Sequence, residues 1–403
     1  MIAHVIIDRA TRALDKTFAY LVPSSFEATI DVGSCVLVSF AHKKSLAFVV
    51  QVEDDEAFFQ KASLDFDKTK LKELEEVFEY QAFSPEAASI AFWMAEYYGA
   101  YLSETIKLFF APGSKLKLEK SEDGSYRLIT PDFLRKEVQW LVLNHDAAPE
   151  LPLAKNASRQ RQILAALKEG PIKSSELAQE IPGAHQAIRA LKKKGLVLAY
   201  QQREVRELAQ SSLSSAVMQK RKASELTEGQ KESLSSIRSM LHSKEAGVIL
   251  MDGVTGSGKT EVYLQAIEEV LAQGGSACVL IPEISLTAQT VGRFRGRFGN
   301  QVAVLHSKLS AGERYDQWCL AQSGKARVVV GPRSALFASL NNLALIIIDE
   351  EHETSYKQSS GVRYHAREVA EKIAEVKGIP LVLASATPSI ESLYYAIQGK
   401  HAQ

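Results

Sequence analysis

Over residues 1–60 the runs "AHVIIDRA", "TFAYLVP", "CVLVSFA" and "LAFVVQVED" are dense in Val, Ile and aromatics and are separated by turn formers. That pattern predicts short strands of a small barrel or sandwich. From Ser84 the period lengthens. "SPEAASIAFWMAEYYGAYLSETIKLFF" opens on a Ser cap with Pro next to it and reads as helix, closing before Pro112-Gly113. Three amphipathic segments, "ASRQRQILAALKEG", "KSSELAQEI" and "AHQAIRALKKKG", precede "LVLAYQQREVRE", which reads as a hairpin. Helix, helix, basic helix and hairpin is the order of a winged helix. A Ser-rich polar stretch ending at Glu225 suits a linker. Beyond it, apolar strands are predicted at 248–251, 277–281, 302–305, 328–330, 345–348 and 381–384. Helical segments alternate with them, which predicts a parallel sheet with helices on both faces. The chain is thus expected to be multidomain α/β: a β-rich domain with a helical tail over 1–112, a winged helix over 113–206, a linker over 207–225 and a P-loop lobe over 226–403.

Composition changes this picture little. With 46% hydrophobic and 24% charged residues the 403-residue chain is an ordinary globular one. Its formal net charge is zero, so a nucleic-acid surface would have to be local. No apolar run approaches the roughly 18 residues of a membrane span, and the N-terminus lacks a signal-peptide pattern. Cys35, Cys278 and Cys319 form no pair, which excludes a disulfide framework or Cys zinc site from the expectation and makes the cytoplasm the default.

The chemistry begins at "GVTGSGKT". Gly253, Val254, Thr255, Gly256, Ser257, Gly258, Lys259 and Thr260 fit G-x-x-x-x-G-K-[ST] between a strand and a helix. Glycines there turn backbone N–H groups onto phosphates, and the helix N-terminus adds partial positive charge. Lys259 is expected to reach the β- and γ-phosphates of ATP, and Thr260 to ligate Mg²⁺. "LALIIIDEEHETSY" then delivers Asp349 and Glu350 from the end of a buried strand. Asp349 is expected to hold the metal and Glu350 to polarise the attacking water. After these acids, Tyr356, Lys357, Arg363 and Tyr364 offer stacking faces and cations, with His352 and His365 beside them. Arg293, Arg295 and Arg297 either grip phosphates or form a solvated face. Lys192, Lys193 and Lys194 would touch backbone phosphates, unless the winged helix docks a protein. The helix carrying Trp93, Tyr97 and Tyr98 reads as core rather than site.

"DEEH" and "SATPS" (Ser385–Ser389) resemble motifs of the first RecA-like lobe of superfamily 2 helicases. "LTEGQ" puts Gln230 where such proteins read the adenine edge. "IPEISLTAQTVGRFRGRF", "LHSKLSAGERYDQW" and "VVVGPRSALFA", which carries Arg333, follow in the family's order. Together with "RYHAR", which carries Arg367, they resemble the PriA family of primosomal replication-restart helicases. "LDKTFAYLVP" and "VGSCVLVSF" resemble that family's domain for a DNA 3′ end, with Phe18 and Tyr20 in its motif. The resemblance implies a 3′–5′ ATP-dependent DNA helicase acting on forked, single-stranded and duplex DNA. It also implies primosome and single-stranded-DNA-binding proteins as partners, and nucleoid association without a membrane. The loop after the acids would then couple DNA to the ATP site.

Two departures stand out. Ala19 replaces an acid between Phe18 and Tyr20, and Ala41-His42 follows Phe40 where the family commonly has a Phe-Gly pair. Specific capture of a free 3′ end is therefore not carried over by the resemblance. The chain also stops at Gln403, before the family's second lobe and its zinc module. The expectation is a polypeptide that binds Mg-ATP and branched DNA with little turnover. The rivals are a non-catalytic DNA- and partner-binding module that uses nucleotide as a switch, and a P-loop enzyme acting on a small molecule.

Overall fold

The computed structural model describes the chain apart from residues 56–57, 59–70, 114, 132–135, 145–156, 207–224, 244–245 and 403. The linker expected over 207–225 lies outside the described residues except for Glu225. Two compact units are formed, one from Met1–Phe133 with Leu208–Gln403, the other from Leu134–Glu207.

Strands β1 (Ile2–Ile7), β2 (Phe18–Leu21), β3 (Ser34–Phe40), β4 (Lys43–Glu53) and β5 (Glu76–Gln81) form one antiparallel sheet in the order β2-β1-β4-β3-β5. Side chains alternate across a strand, and here both faces are covered. Val36, Val38, Ala47 and Val49 pack on one side, while Cys35, Leu46, Phe48 and Val50 pack on the other. This is why "CVLVSF" and "LAFVV" read as continuous apolar runs. β5 escaped the sequence reading because "EVFEYQ" is only half buried.

Helix α1 (Pro85–Tyr98) covers one face of the sheet. Ser84 caps it by accepting from Ala87 N–H, and Gly99 ends it in a left-handed conformation at φ 59°. The long helix expected to run on to Phe110 therefore breaks there, into α2 (Leu102–Thr105) and a 3₁₀ turn over Ile106–Phe109. α1 has two apolar sides. Ala88 and Ala91 face the sheet, whereas Ile90 and Met94 enter the core of the P-loop lobe. Trp93 and Tyr98 also pack there, but Tyr97 is exposed and stacks on Trp93. The Tyr98 hydroxyl donates to Glu368 (2.6 Å) and accepts from His365 N–H (3.2 Å) in that lobe. A hairpin of β6 (Lys117–Lys120) and β7 (Tyr126–Ile129) lays Leu118 and Leu128 on the N-terminal core. Leu134, rather than Gly113, is thus the first residue of the second unit.

In that unit β8 (Lys136–Leu143), α3 (Ser158–Lys168), β9 (Ile172–Lys173), α4 (Ser174–Glu180), α5 (Ala184–Lys193) and β10 (Val197–Glu204) enclose Leu141, Ile163, Leu177, Ile188 and Leu191. The expected hairpin does not form. β10 is one strand that pairs antiparallel with β8 from Val197↔Leu143 to Glu204↔Lys136. "LVLAYQQRE" contains no turn former, and the apolar alternation of "EVQWLVL" supplies a partner far upstream. Lys192, Lys193 and Lys194 are exposed.

The lobe opens with α6 (Glu228–Ser243). It then alternates β11 (Gly247–Asp252), α7 (Lys259–Ala272), β12 (Ser276–Leu280), α8 (Ala288–Phe298), β13 (Val302–Val304), α9 (Ala311–Gln322), β14 (Val328–Gly331), β15 (Leu343–Asp349), α10 (Ala366–Lys377), β16 (Pro380–Ser385), α11 (Ile390–Ile397) and β17 (His401–Ala402). Every pairing in this seven-stranded sheet is parallel, in the order β13-β14-β12-β15-β16-β11-β17. Leu345 and Ile347 of β15 face a core shared with α6, α7 and α8; Ile346 and Ile348 face one shared with α10 and α1. Among the described residues no helix is long and apolar enough to cross a membrane.

The β3–β4 hairpin turns on Ala41 (φ 46°) and His42 (φ 61°), between paired Phe40 and Lys43. A left-handed conformation costs a residue with a Cβ about 1–2 kcal/mol, and two-residue hairpin turns favour Asn-Gly. Replacing Ala41-His42 by Asn-Gly should stabilise the N-terminal sheet by about 1–3 kcal/mol. The check is calorimetry, in which the variant melts at higher temperature.

Candidate nucleotide site

β16 pairs with β11 on one side and β15 on the other, with Asp252↔Ser385 and Asp349↔Ala384 in register. The phosphate loop, the acidic turn and "SATPS" therefore leave the same carboxyl edge of the sheet as neighbours. Ligands of open parallel sheets lie at that edge.

In the loop, Gly256 (φ 81°) and Gly258 (φ 82°) are left-handed, and Gly258 is the residue from which α7 starts. A Cβ on Gly258 would lie 2.4 Å from Gln230 Nε2, so a larger residue there would also push the Gln230 amide from its place. Gln230 Nε2 donates to Ser257 O (2.7 Å), and its Oε1 accepts from Thr227 N–H (2.9 Å). One N–H and one lone pair of the amide remain for an adenine edge. The Lys259 ammonium donates to Gly253 O and Val254 O, folded over its own loop. Gly253 N–H donates to Ser385 O (3.2 Å) and ties the loop to β16. A hollow of about 480 Å³ is lined by Thr255–Thr260, Asp349 and Glu350, and by Glu261, Arg293 and Arg297.

Asp349 is held from three directions. Oδ2 accepts from the Tyr263 hydroxyl (3.1 Å), Oδ1 from Glu350 N–H (3.2 Å), and its carbonyl from the Tyr356 hydroxyl (2.6 Å). Burial pushes the Asp349 carboxyl up from its ordinary range, opposed by the Tyr263 hydrogen bond and reinforced by Glu350. Thr260 Oγ1 lies 3.3 Å from that same Tyr263 hydroxyl. A hydroxyl and a buried carboxylate on one wall are hard oxygen donors, and they fit magnesium. Glu350 has a left-handed backbone (φ 46°), a costly state for a residue with a Cβ. Its carboxylate sits 3.6 Å from His352 Nδ1, which hydrogen-bonds Ser385 Oγ at 2.7 Å. The acidic turn and "SATPS" are thus linked through side chains.

Sequence reasoning missed Glu351 and Tyr263. Glu351 is 2% exposed and accepts from Ser389 N–H (2.6 Å), Ser389 Oγ (3.1 Å), Ser392 Oγ (3.2 Å) and Arg367 (3.4 Å). Its neighbours Asp349 and Glu350 carried the familiar roles, and nothing local marks the third acid. Tyr263 had a faint signal, as a polar-tipped residue among apolar ones on α7.

The expected DNA-contacting residues are dispersed. Arg367 is spent on Glu351, Ser389 and Ser392. Tyr356 and Tyr364, expected to present stacking faces, are 1% and 3% exposed, which corrects that expectation. Both rings pack in the lobe core, and the Tyr356 hydroxyl is consumed by the carbonyls of Leu280 and Asp349. Arg363 is exposed. Arg333 donates to Ser355 O (2.6 Å) and Lys357 O (3.2 Å), while the Lys357 ammonium lies 5.5 Å from the Tyr98 ring centroid. Arg297 pairs with Glu268 and Glu261, so it is neither a phosphate grip nor a bare solvated face. In the N-terminal sheet Phe18 and Phe40 pack edge to face at 4.9 Å, and Tyr20 is buried with its hydroxyl donating to Ser39 O. A second hollow, about 720 Å³, lies between this sheet and the lobe. Its lining includes Lys107, Lys115, Lys117, His306, Arg314 and Arg333, together with Glu283 and with Asp8, which pairs with Lys107.

Removing one partner of a buried ion pair costs about 3–5 kcal/mol. Glu351→Ala should lower stability by about that amount, with Glu351→Gln milder because the amide oxygen still accepts. Denaturant unfolding of the two variants is the measurement.

Comparison with known proteins places these features. Residues 227–394 match the family model for DEAD/DEAH box helicases, and residues 4–111 match the model for the PriA 3′ DNA-binding domain. The replication restart protein PriA of Bacillus subtilis is 34% identical over 450 residues, covering 98% of this chain and 54% of that protein. The PriA of Haemophilus influenzae is 35% identical over 402 residues, covering 96% and 50%. A weaker likeness is to RecG bound to a three-way DNA junction, at TM-score 0.33 and 23% identity, covering 44% of this chain and 23% of that one. The chain spans about half the length of the PriA proteins it matches. Over that shared stretch, with the 3′ DNA-binding match preceding the helicase match, it is similar to about half of the PriA replication restart proteins.

Proposed function

We propose that the chain binds Mg-ATP at the Lys259 loop as part of an ATP-driven DNA helicase that acts at stalled forks to restart replication. The observation that carries this reading is the convergence of Lys259, Thr260, Asp349 and Glu350 on one hollow, with Ser385 hydrogen-bonded to His352 beside it. ATP with its magnesium supplies the phosphoanhydride and the electrophilic charge. Lys259 exchanges its two loop carbonyls for anionic oxygens. Thr260 and Asp349 hold the metal, and Gln230 offers its free amide positions to the base. Glu350, half exposed beside the hollow, takes the proton of the attacking water. His352 ties that acid to Ser385 of β16, so a change at the phosphates reaches "SATPS" without passing through solvent.

For DNA, support comes from the hollow between the N-terminal sheet and the lobe. Lys115, Lys117, Arg314 and Arg333 along it supply charge for a single strand's phosphates, and Arg363 is exposed on the loop after the acids. The aromatic faces first expected to stack on bases are buried, so in this reading that loop signals rather than grips. Tyr356 bonds directly to the Asp349 carbonyl and provides the route. The exposed lysines of α5 suit duplex phosphates. Forked DNA, primosome proteins and single-stranded-DNA-binding protein are the partners, in the cytoplasm at the nucleoid; zinc belongs to further family modules.

A charge-assisted hydrogen bond from the Lys259 ammonium to a phosphate contributes about 1.5–3 kcal/mol. Lys259→Ala should therefore weaken binding of a fluorescent ATP analogue by roughly 10- to 150-fold. Titration of the 403-residue chain tests this, and unchanged affinity would exclude the site. Each phosphate contact contributes a slope of about −0.7 to the log affinity against log salt plot for single-stranded DNA. The Lys115→Ala/Lys117→Ala pair should flatten that slope by roughly 1.4. Fluorescence anisotropy across a salt series measures it.

A further inference from the structure

Tyr263 belongs to none of the motifs that carry the nucleotide chemistry, yet it lies between two of them. It falls three residues after Thr260 on α7, one helical turn along, so both side chains stand on the same face. Its hydroxyl is 3.3 Å from Thr260 Oγ1 and 3.1 Å from Asp349 Oδ2. The residue is only 1% exposed, and its ring stacks on Phe294 of α8 with centroids 6.3 Å apart. The ring is thereby locked and the hydroxyl has a fixed address.

The inventory of donors settles how the proton is used. A phenol has one O–H, and both Asp349 Oδ2 and Thr260 Oγ1 lie where they accept from it, so a single donor is shared between the two oxygens. The Tyr263 hydroxyl thereby fixes where both stand. Asp349 Oδ2 is turned towards α7, and Oδ1 is shared with Glu350 N–H.

We propose that Tyr263 is a positioning residue for the magnesium pair: one buried hydroxyl aligns Thr260 Oγ1 and the Asp349 carboxylate before the cation arrives. The inference rests on the Mg-ATP reading and adds to it a residue outside both motifs. Tyr263 touches neither nucleotide nor metal and acts only through the two oxygen donors.

The test is the gain in affinity for a fluorescent ATP analogue on going from EDTA to saturating magnesium. Tyr263→Phe keeps the stacked ring and removes only the hydroxyl. A positioning role predicts that this gain falls about tenfold while the affinity in EDTA and the melting temperature stay close to those of the unmodified chain. An unchanged gain in a folded variant overturns the proposal, and so does an equal loss in EDTA, which would signal packing alone. Should Tyr263→Phe not fold, because Asp349 is left buried without its donor, Tyr263→Phe is read in the Asp349→Asn background. There Tyr263→Phe should lower the gain further, but by less than in the unmodified chain, since only Thr260 is left for it to hold; no further loss, or a loss of full size, overturns the proposal. If the unmodified chain binds no analogue with or without magnesium, the Mg-ATP reading falls, and this inference falls with it.

Discussion

Strand β16 is the hinge of the chemistry. Its hydrogen bonds to β11 and β15 make two loops neighbours that are separated by most of the lobe in sequence. Parallel pairing fixes direction, so all three strands deliver their loops at one edge. The register does the rest: Asp252 opposite Ser385 and Asp349 opposite Ala384 bring the phosphate loop and the acids to one hollow. A one-residue slip of β16 would turn Ser385 away from His352 and move its apolar side chains to the other face.

Around that edge the buried acids Asp349 and Glu351 each have several partners. Glu351 is the clearest case, a carboxylate out of water that survives because an N–H, two hydroxyls and a guanidinium converge on it. Asp349 is solved differently, by two tyrosines and the next amide. Both arrangements tie the acidic turn to elements on either side. The left-handed backbone of Glu350 sits inside this frame and depends on it.

The N-terminal sheet is not an independent appendage to the lobe. α1 contributes Ile90 and Met94 to the lobe's core, and Tyr98 is hydrogen-bonded to both ends of a short stretch of α10 and its approach. Lys357, in the loop after the acids, lies over the same tyrosine ring. A chain of contacts therefore runs from α1 through that loop to Tyr356 and the Asp349 carbonyl. It is made of hydrogen bonds and packed rings, which transmit displacement rather than absorb it.

Residues adjacent in sequence were enough to place the Lys259 loop and the Asp349-Glu350 turn at strand ends, to find six strands of the lobe, and to find the three helices of the second unit. Each is written in local currency: glycines where φ must be positive, apolar periodicity, a cap before a helix. What lay beyond the sequence were relations between distant segments. The partner of β10 is β8, far upstream, and no turn former in β10 itself could have announced it. Tyr356, Tyr364 and Arg367 look like DNA contacts as letters, but their fates were decided by which core covered the rings and which carboxylate claimed the guanidinium. Tyr263 becomes part of the site only when β15 and α7 are set side by side. Local sequence determines the conformation of a segment, since backbone sterics and capping act over a few residues. The burial of a ring or a charge is settled by the whole fold, because its free energy depends on every group that displaces water around it.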